Sequence, residues 1–347
     1  MAKLPCRIVI FGAGTLGCYL GGRLLSAGAD VTMIGRERLQ AIFAKQPLVV
    51  TDQRHFEFRE TLPESRFVTD PAAAKDADLV LVTTKSGDTE DAGKLLAPVL
   101  KPGTPVVSFQ NGISNPDRLA AALPECPVFA GVVPFNIVHK TPGHFHQAMP
   151  GQLMVTATDK LAAAEPWFDA AGLPLQKRED MRSVRWSKLL LNLNNAINAL
   201  SGLSLADELA QRDYRRCLAL AQQETLTLLE WAGIRPVKLT PIPMQLLPYV
   251  MKAPDWLFRS LAKTMLTIDP EARSSMAQDI QAGRPTEVDW INGEVVRLAS
   301  SIDTRAPVNQ ALVNLIHQSE RGPARSWPAA ELFHHLQHAL DEYRARR

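Results

Sequence analysis

Residues 7–36 constrain this chain more than any other stretch. Arg7-Ile-Val-Ile-Phe11 is a short apolar, β-branched run, the pattern of a fully buried strand. It leads into Gly12-Ala13-Gly14-Thr15-Leu16-Gly17 and then into a leucine-rich helical pattern through Ser26. This is GxGxxG in its required context, after a strand and before a helix. Gly12 permits a tight turn, Gly14 lets backbone N–H groups approach a pyrophosphate, and Gly17 allows close packing of helix on strand. The helix N-terminus presents unpaired N–H groups and a positive dipole end to the anion. A second strand, Asp30–Ile34, completes a βαβ unit. At its end an NAD site carries Asp or Glu. This chain has Gly35-Arg36, with Glu37 one place late and Arg38 after it. An arginine there can pair with a 2′-phosphate, so the reading is NADP(H). Residues 12–17 and Arg36 are the first cofactor-binding candidates. The bland alternative is a glycine-rich turn in an unrelated α/β protein.

At 347 residues the chain is long enough for two domains of ordinary size. Hydrophobic content of 46% and charged content of 21% are those of a soluble globular protein. A net charge of +2 gives no global field toward nucleic acid or an anionic membrane. Cys6, Cys18, Cys126 and Cys217 are scattered without metal spacing, which fits a reducing cytoplasm. The first strand begins too early to leave room for a signal peptide, and no apolar run approaches the ~18 residues of a membrane span. His334, His335 and His338 lie in a polar terminal region, where a solvated face outweighs a metal site; no metal is expected. His144 and His146 receive no role.

After the βαβ unit, Leu48–Thr51 and His55–Arg59 read as a hairpin inserted in the crossover. Asp78–Val82 and Pro105–Phe109 are further buried strands, ending at Thr83-Thr84-Lys85 and Gln110-Asn111-Gly112; Pro127–Gly131 is the next. Between Phe135 and Ala157, alternation with Pro-Gly punctuation predicts antiparallel strands at the sheet edge. From Val184 onward the pattern is helical: Val184–Leu200, Leu205–Trp231, Asp255–Leu266, Pro270–Gln281, Pro285–Ser301, Pro307–Gln318 and a last helix near Pro328–Arg344. The fold class is therefore α/β, a Rossmann-like doubly wound sheet over 1–182 followed by an all-helical domain over 183–347.

In an open parallel sheet, ligands bind beyond the carboxyl ends of the strands. Lys85 and Asn111 then point toward the crevice, against a solvated lysine and an ordinary Asn-Gly turn as the bland readings. In the first helix of the second domain, Lys188, Asn192 and Asn195 stand at i, i+4 and i+7, one face carrying an amine and two amides. Asn194 and Asn198 form a neighbouring stripe. Asparagine is a poor helix former, so four in seven residues oppose local propensity, as function can require. The alternative is amides satisfying buried helix contacts. Farther on, Arg273-Ser274-Ser275-Met leads to Gly283-Arg-Pro-Thr-Glu287-Val-Asp-Trp-Ile-Asn292-Gly293. Glu287 reads as an acid in an early helical turn, where dipole compensation is its plain role. Asn292-Gly293 suggests close approach of a helix or ligand.

Together these segments resemble the ketopantoate reductases (2-dehydropantoate 2-reductases) over nearly the whole chain. The motifs recur in order: Gly12-x-Gly14-x-x-Gly17, Val-Thr-Thr-Lys85, Gln110-Asn111-Gly112, Trp-x-Lys188 with downstream asparagines, and Ser-Ser275-Met followed by Pro-Thr-Glu287-Val-Asp-x-Ile-Asn-Gly. The last two are the specific ones. The resemblance implies NADPH-dependent reduction of 2-dehydropantoate to (R)-pantoate, in pantothenate and coenzyme A synthesis. It implies Lys188 as the catalytic acid and Glu287 as the carboxylate that holds the substrate hydroxyl, orients the lysine and borders the cofactor. It implies Asn192 and Ser275 as substrate contacts, with Lys85 and Asn111 near the nicotinamide ribose. The asparagine segment is two residues longer than the family's simplest form, so Asn195 and Asn198 compete for a second substrate position. The apolar, proline-broken stretch 236–269 is longer than a minimal connection and could reshape the pocket or form a homodimer contact. The alternatives are a reductase of another branched 2-oxo acid or an opine-type substrate, and an NADPH-binding protein without chemistry.

Overall fold

A computed structural model describes residues 6–261, 272–322 and 325–346. Contacts divide the chain into two units, Met1–Met181 and Arg182–Arg347. In the first, the elements are β1 (Arg7–Phe11), α1 (Thr15–Ser26), β2 (Asp30–Ile34), α2 (Glu37–Phe43), β3 (Leu48–Asp52), β4 (Glu57–Glu60), β5 (Phe67–Val68), β6 (Leu79–Val82), α3 (Thr89–Leu96), β7 (Val106–Ser108), α4 (Asn115–Ala122), β8 (Val128–Val132), β9 (Ile137–Thr141), β10 (His144–Gln147), β11 (Leu153–Thr156), α5 (Glu165–Ala170) and β12 (Leu175–Arg178).

The main sheet has the order β12-β11-β8-β7-β6-β1-β2-β5. From β8 to β5 every neighbouring pair is parallel. That six-strand order, with β1 at the point where it reverses, is the doubly wound dinucleotide-binding arrangement. Its strands are buried on both faces, which is why they read as unbroken apolar runs. Ile8, Ile10, Leu79 and Leu81 join α1 in one core; Val9, Phe11, Val80 and Val82 join Ala92, Leu96 and Leu119 of α3 and α4 in the other.

The stretch expected at the sheet edge divides. β9 and β10 pair antiparallel, but β10 then lies parallel to β3, in a separate sheet ordered β4-β3-β10-β9. The cause is the apolar face of that hairpin: Phe145 is buried with Leu48 and Val50 over α1. A Cβ on Gly22 of α1 would stand 2.3 Å from Val50, so helix and small sheet meet closely. Arg23 of α1 completes the junction with a buried ion pair to Asp52 at 3.0 Å. Only β11 joins the main sheet, antiparallel to β8, and β12 follows it in parallel.

The second unit is helical: α6 (Met181–Asn192), α7 (Asn194–Ser201), α8 (Leu205–Ala210), α9 (Arg212–Trp231), α10 (Leu247–Lys252), α11 (Asp255–Leu261), α12 (Ser275–Gln281), α13 (Asn292–Ser301), α14 (Pro307–Arg321) and α15 (Ala329–Ala345). α9 packs against α7, α8, α10, α13, α14 and α15. Its Arg215, with no exposed surface, donates to the carbonyls of Leu209, Met251 and Ala253 and pairs with Asp255 at 2.8 Å. One cation thus ties down part of the proline-broken connection. The expected helices Asp255–Leu266 and Pro270–Gln281, and the 236–269 segment, run partly into residues outside the described ones. Three expected helices are each broken: at Leu193, at Gln211, and at Ile291 between a short 3-10 turn, Val288–Trp290, and α13. No helix among the described residues is long and apolar enough to cross a membrane.

Candidate active site

The glycine-rich turn is built as its sequence requires. Gly12 has φ of +90°, and a Cβ there would lie 2.4 Å from the Thr84 side chain. Gly17 sits against β1 and β6; a Cβ would lie 2.7 Å from Thr83 Oγ1 and 3.0 Å from Ile10. Gly14 differs: a Cβ there would meet nothing nearer than the Gly12 carbonyl at 3.9 Å. The fold itself leaves that space open. α1 begins at Thr15 without a side-chain cap and without an acid in its first turn. Its leading N–H groups and dipole therefore face a glycine-lined opening suited to an anionic group.

Arg36 follows β2, 84% exposed at its side chain, and pairs with Asp88 at 3.1 Å. Lys85 and Asn111 occupy the loops after β6 and β7, and those loops are laced together. Gln110 donates from Nε2 to Thr84 Oγ1 at 3.0 Å and to Thr89 Oγ1 at 2.8 Å. The Asn111 carbonyl accepts from Ser86 Oγ at 3.0 Å and from Asn115 Nδ2. Ser86, Thr89 and Asn115 are the residues that sequence reasoning missed here, while Gln110 stood in the Gln110-Asn111-Gly112 strand end without a role. Polar types directly after buried strands were the available signal.

In the helical unit, Lys188 and Asn192 lie one turn apart on α6. Lys188 keeps part of its surface, yet dense protein surrounds it, and burial lowers its pKa to about 8. Desolvation disfavours the ammonium, so it gives up its proton more readily than in water. Asn192 and Asn195 are both half-buried, but Asn195 stands beyond the break at Leu193. Its facing therefore no longer follows from counting residues.

Asn198 requires a correction. It has no exposed surface, and every part of its amide serves the fold. Nδ2 donates to Glu208 Oε2 at 2.7 Å and to the Leu203 carbonyl at 3.2 Å, while Oδ1 accepts from the Ser274 N–H at 2.9 Å. Of the two candidates for a second substrate position, only Asn195 retains accessible surface. Asn194 also turns inward and donates to Glu208 at 3.3 Å. Glu208 is fully buried, and burial pushes its pKa up to about 8, the amides only partly opposing. Its Oε1 and the Asn194 Oδ1 are buried acceptors without a donor. A pKa raised to about 8 favours the protonated acid at neutral pH, and a protonated Glu208 brings one O–H donor to this buried cluster.

Ser274 caps α12, accepting from the Ala277 N–H at 3.1 Å, and donates to the Asn195 carbonyl at 3.2 Å. This brings Ser275, exposed in the first turn of α12, beside the start of α7. Glu287 is buried and precedes the short turn rather than opening a long helix, because the chain bends at Ile291 with φ of −115° and ψ of −84°. Asn292 and Gly293 begin α13. Asn292 donates to Asn309 at 3.0 Å, and Gly293 has ordinary room around it, so no unusually close helix approach occurs there. Among the described residues no group of three or more His, Cys, Asp or Glu is placed to hold a metal ion.

Comparison with known proteins covers both units. Residues 8–160 match the family model described as ketopantoate reductase PanE/ApbA, and residues 180–320 match that of its C terminal region. The chain is 28% identical over 319 residues to a 2-dehydropantoate 2-reductase of Pyrococcus horikoshii, covering 90% of this chain and 97% of that one. A solved PanE/ApbA family ketopantoate reductase from Ralstonia eutropha JMP134 is 29% identical, with a TM-score of 0.77 over 91% of this chain and 98% of the other. A D-mandelate dehydrogenase solved with NADH and anilino(oxo)acetate shares the fold at 21% identity, with a TM-score of 0.74 over 91% and 98% of the two chains. The chain belongs to the ketopantoate reductase family of oxidoreductases acting on CH–OH groups.

Proposed function

We propose that this protein reduces 2-dehydropantoate to (R)-pantoate with NADPH. The reading is supported by the likeness of both units to 2-dehydropantoate 2-reductases, and its acid by Lys188, an amine on the first helix of the helical unit whose pKa burial lowers to about 8. A general acid works best with a pKa near the operating pH. When bound, the nicotinamide supplies a hydride to the ketone carbon. As negative charge grows on the ketone oxygen, Lys188 Nζ donates a proton to it and is left as the neutral amine. Glu287 holds the substrate hydroxyl and orients the lysine. Asn192, Asn195 and Ser275 bind the carboxylate and hydroxyl with groups that do not titrate. Residues 12–17 hold the pyrophosphate at the start of α1; the open space at Gly14 supports this. Arg36 meets the 2′-phosphate, and Lys85 and Asn111 border the nicotinamide ribose. A second reading, another branched 2-oxo acid, draws on the helices added between residues 236 and 261.

The test is NADPH oxidation by purified protein with ketopantoate and a panel of 2-oxo acids. Turnover highest on ketopantoate is expected, falling as pH rises through about 8, because Lys188 must carry its proton to act. Lys188→Ala should cut turnover by about 10²-fold or more while NADPH still binds. NADPH binding with no ketopantoate turnover at millimolar substrate rejects this substrate; unchanged turnover in Lys188→Ala rejects the acid.

A further inference from the structure

The backbone around Glu287 is fastened to α14 at two points. The Thr286 N–H donates to Glu320 Oε1 at 2.8 Å. Three residues on, Asp289 Oδ1 lies 3.1 Å from His317 Nε2, and His317 Nδ1 lies 2.8 Å from Glu320 Oε2. Glu320 thus reaches Thr286 with one oxygen and His317 with the other, and His317 reaches Asp289. The loop closes on either side of Glu287. Within it, the Val288 N–H donates to Thr286 Oγ1 at 3.3 Å and the Trp290 N–H to the Glu287 carbonyl at 3.0 Å.

We infer that His317 and Glu320 are positioning residues that set the backbone carrying Glu287. The inference rests on Glu287 acting at the site as proposed above. Both ring nitrogens of His317 face carboxylate oxygens, and only the imidazolium can donate from both. The neutral ring donates from one alone, so deprotonation breaks one of the two links. The groups facing the ring are Asp289 from the short turn and Glu320 from its own helix. From α13, Arg297 donates to the Asp289 carbonyl and pairs with Glu294 at 3.2 Å. Burial disfavours the imidazolium, but the bonds to Glu320 and Asp289 outweigh it, so the His317 pKa is raised. The same bond, with those from Thr286, holds the Glu320 carboxyl below its ordinary range despite burial. The clamp is therefore complete while His317 carries its second proton and loosens as pH rises through the raised His317 value. A small displacement of a carboxylate that orients a proton donor is costly, since misplacement by about 1 Å can remove about 10²-fold in rate.

The experiment measures kcat, KM and NADPH affinity across pH for wild type, His317→Ala, His317→Gln, Glu320→Gln and Glu287→Gln. We expect His317→Ala to lower kcat about tenfold with NADPH affinity within about twofold, and to shift the alkaline limb of the rate profile. His317→Gln should recover part of the rate by restoring one link, with the His317 contribution to that limb gone and the Lys188 fall at about 8 left in place. Glu320→Gln still accepts from the Thr286 N–H and can donate to a neutral His317 ring, so it should hold kcat near wild type while the His317 contribution to the alkaline limb disappears. If Glu287→Gln loses turnover while folded His317→Ala and Glu320→Gln keep wild-type rates and profiles, the clamp is rejected and the site reading stands. A fall in thermal stability with the pH profile unmoved also rejects it. If Glu287→Gln itself retains full turnover, the site reading fails instead.

Discussion

The glycine-rich turn of the first unit and the asparagine-rich helix of the second both depart from ordinary secondary-structure rules, but they do so differently. In the turn, each departure is local. Gly12 needs a positive φ, and Gly17 needs room against Thr83 and Ile10. Neighbours a few residues away, or on the next strand, dictate the residue type. In the helix, four asparagines look alike in sequence and divide in space. Asn194 and Asn198 are spent on Glu208, while Asn192 and Asn195 keep accessible surface. A repeated residue type at helical spacing does not disclose which copies are structural. The neighbours that decide it come from α8 and α12.

The helix offers the sharpest way to break this contrast. Asn198→Ala sets the scale in the helix: it takes the Asn198 bond from the Ser274 N–H and the Leu203 carbonyl and leaves the Glu208 carboxyl only Asn194, at about 1–3 kcal/mol for each group left unsatisfied. A large fall in thermal stability is expected, whereas Asn192→Ala should keep stability and lose kcat/KM for the oxo acid. Equal stability in the two variants would return Asn198 to the substrate site. Gly17→Ala overpacks a dense contact and should cost about 1–3 kcal/mol. Gly14→Ala should leave the melting temperature nearly unchanged and weaken NADPH binding, since its Cβ meets only open space. A stable Gly17→Ala, or tight NADPH binding by Gly14→Ala, would overturn that assignment.

The smallest effect concerns Glu208. Its pKa is raised to about 8 in the fold from an ordinary 4.5. The folded chain therefore holds a proton that the unfolded chain has released. Stability from this group is fully present below the unfolded value and is lost as pH rises toward about 8. Glu208→Gln mimics the neutral acid, with an amide N–H in place of the carboxyl proton. Its melting temperature should depend less on pH between about 5 and 8 than that of wild type, by a few degrees in differential scanning fluorimetry. An unchanged slope would mean that Glu208 is ionised in the fold.

The legible parts of this protein were those set by short-range geometry. β1, α1 and β2, with the strand ends at Lys85 and Asn111, follow from apolar runs, glycine placement and the rule that ligands gather beyond the carboxyl ends of parallel strands. The helical character of the second unit follows from periodicity, although its breaks do not. Leu193 keeps near-helical angles, and Ile291 bends without a proline or glycine to announce it. Likewise, the hairpin of β9 and β10 shows its alternation in sequence, but its partner β3 is about ninety residues earlier and was chosen by the core over α1.

What the sequence alone determined is the parallel α/β unit with its glycine-rich turn, and the family to which the paired lysine and glutamate motifs belong. Those features depend on residue type and spacing within one or two elements. Only the tertiary structure decided which asparagines serve the fold, that Glu208 is buried with its pKa raised, and that His317 and Glu320 close on the segment carrying Glu287. Burial and carboxylate pairing depend on groups brought together from distant parts of the chain, and nothing in the local pattern records them.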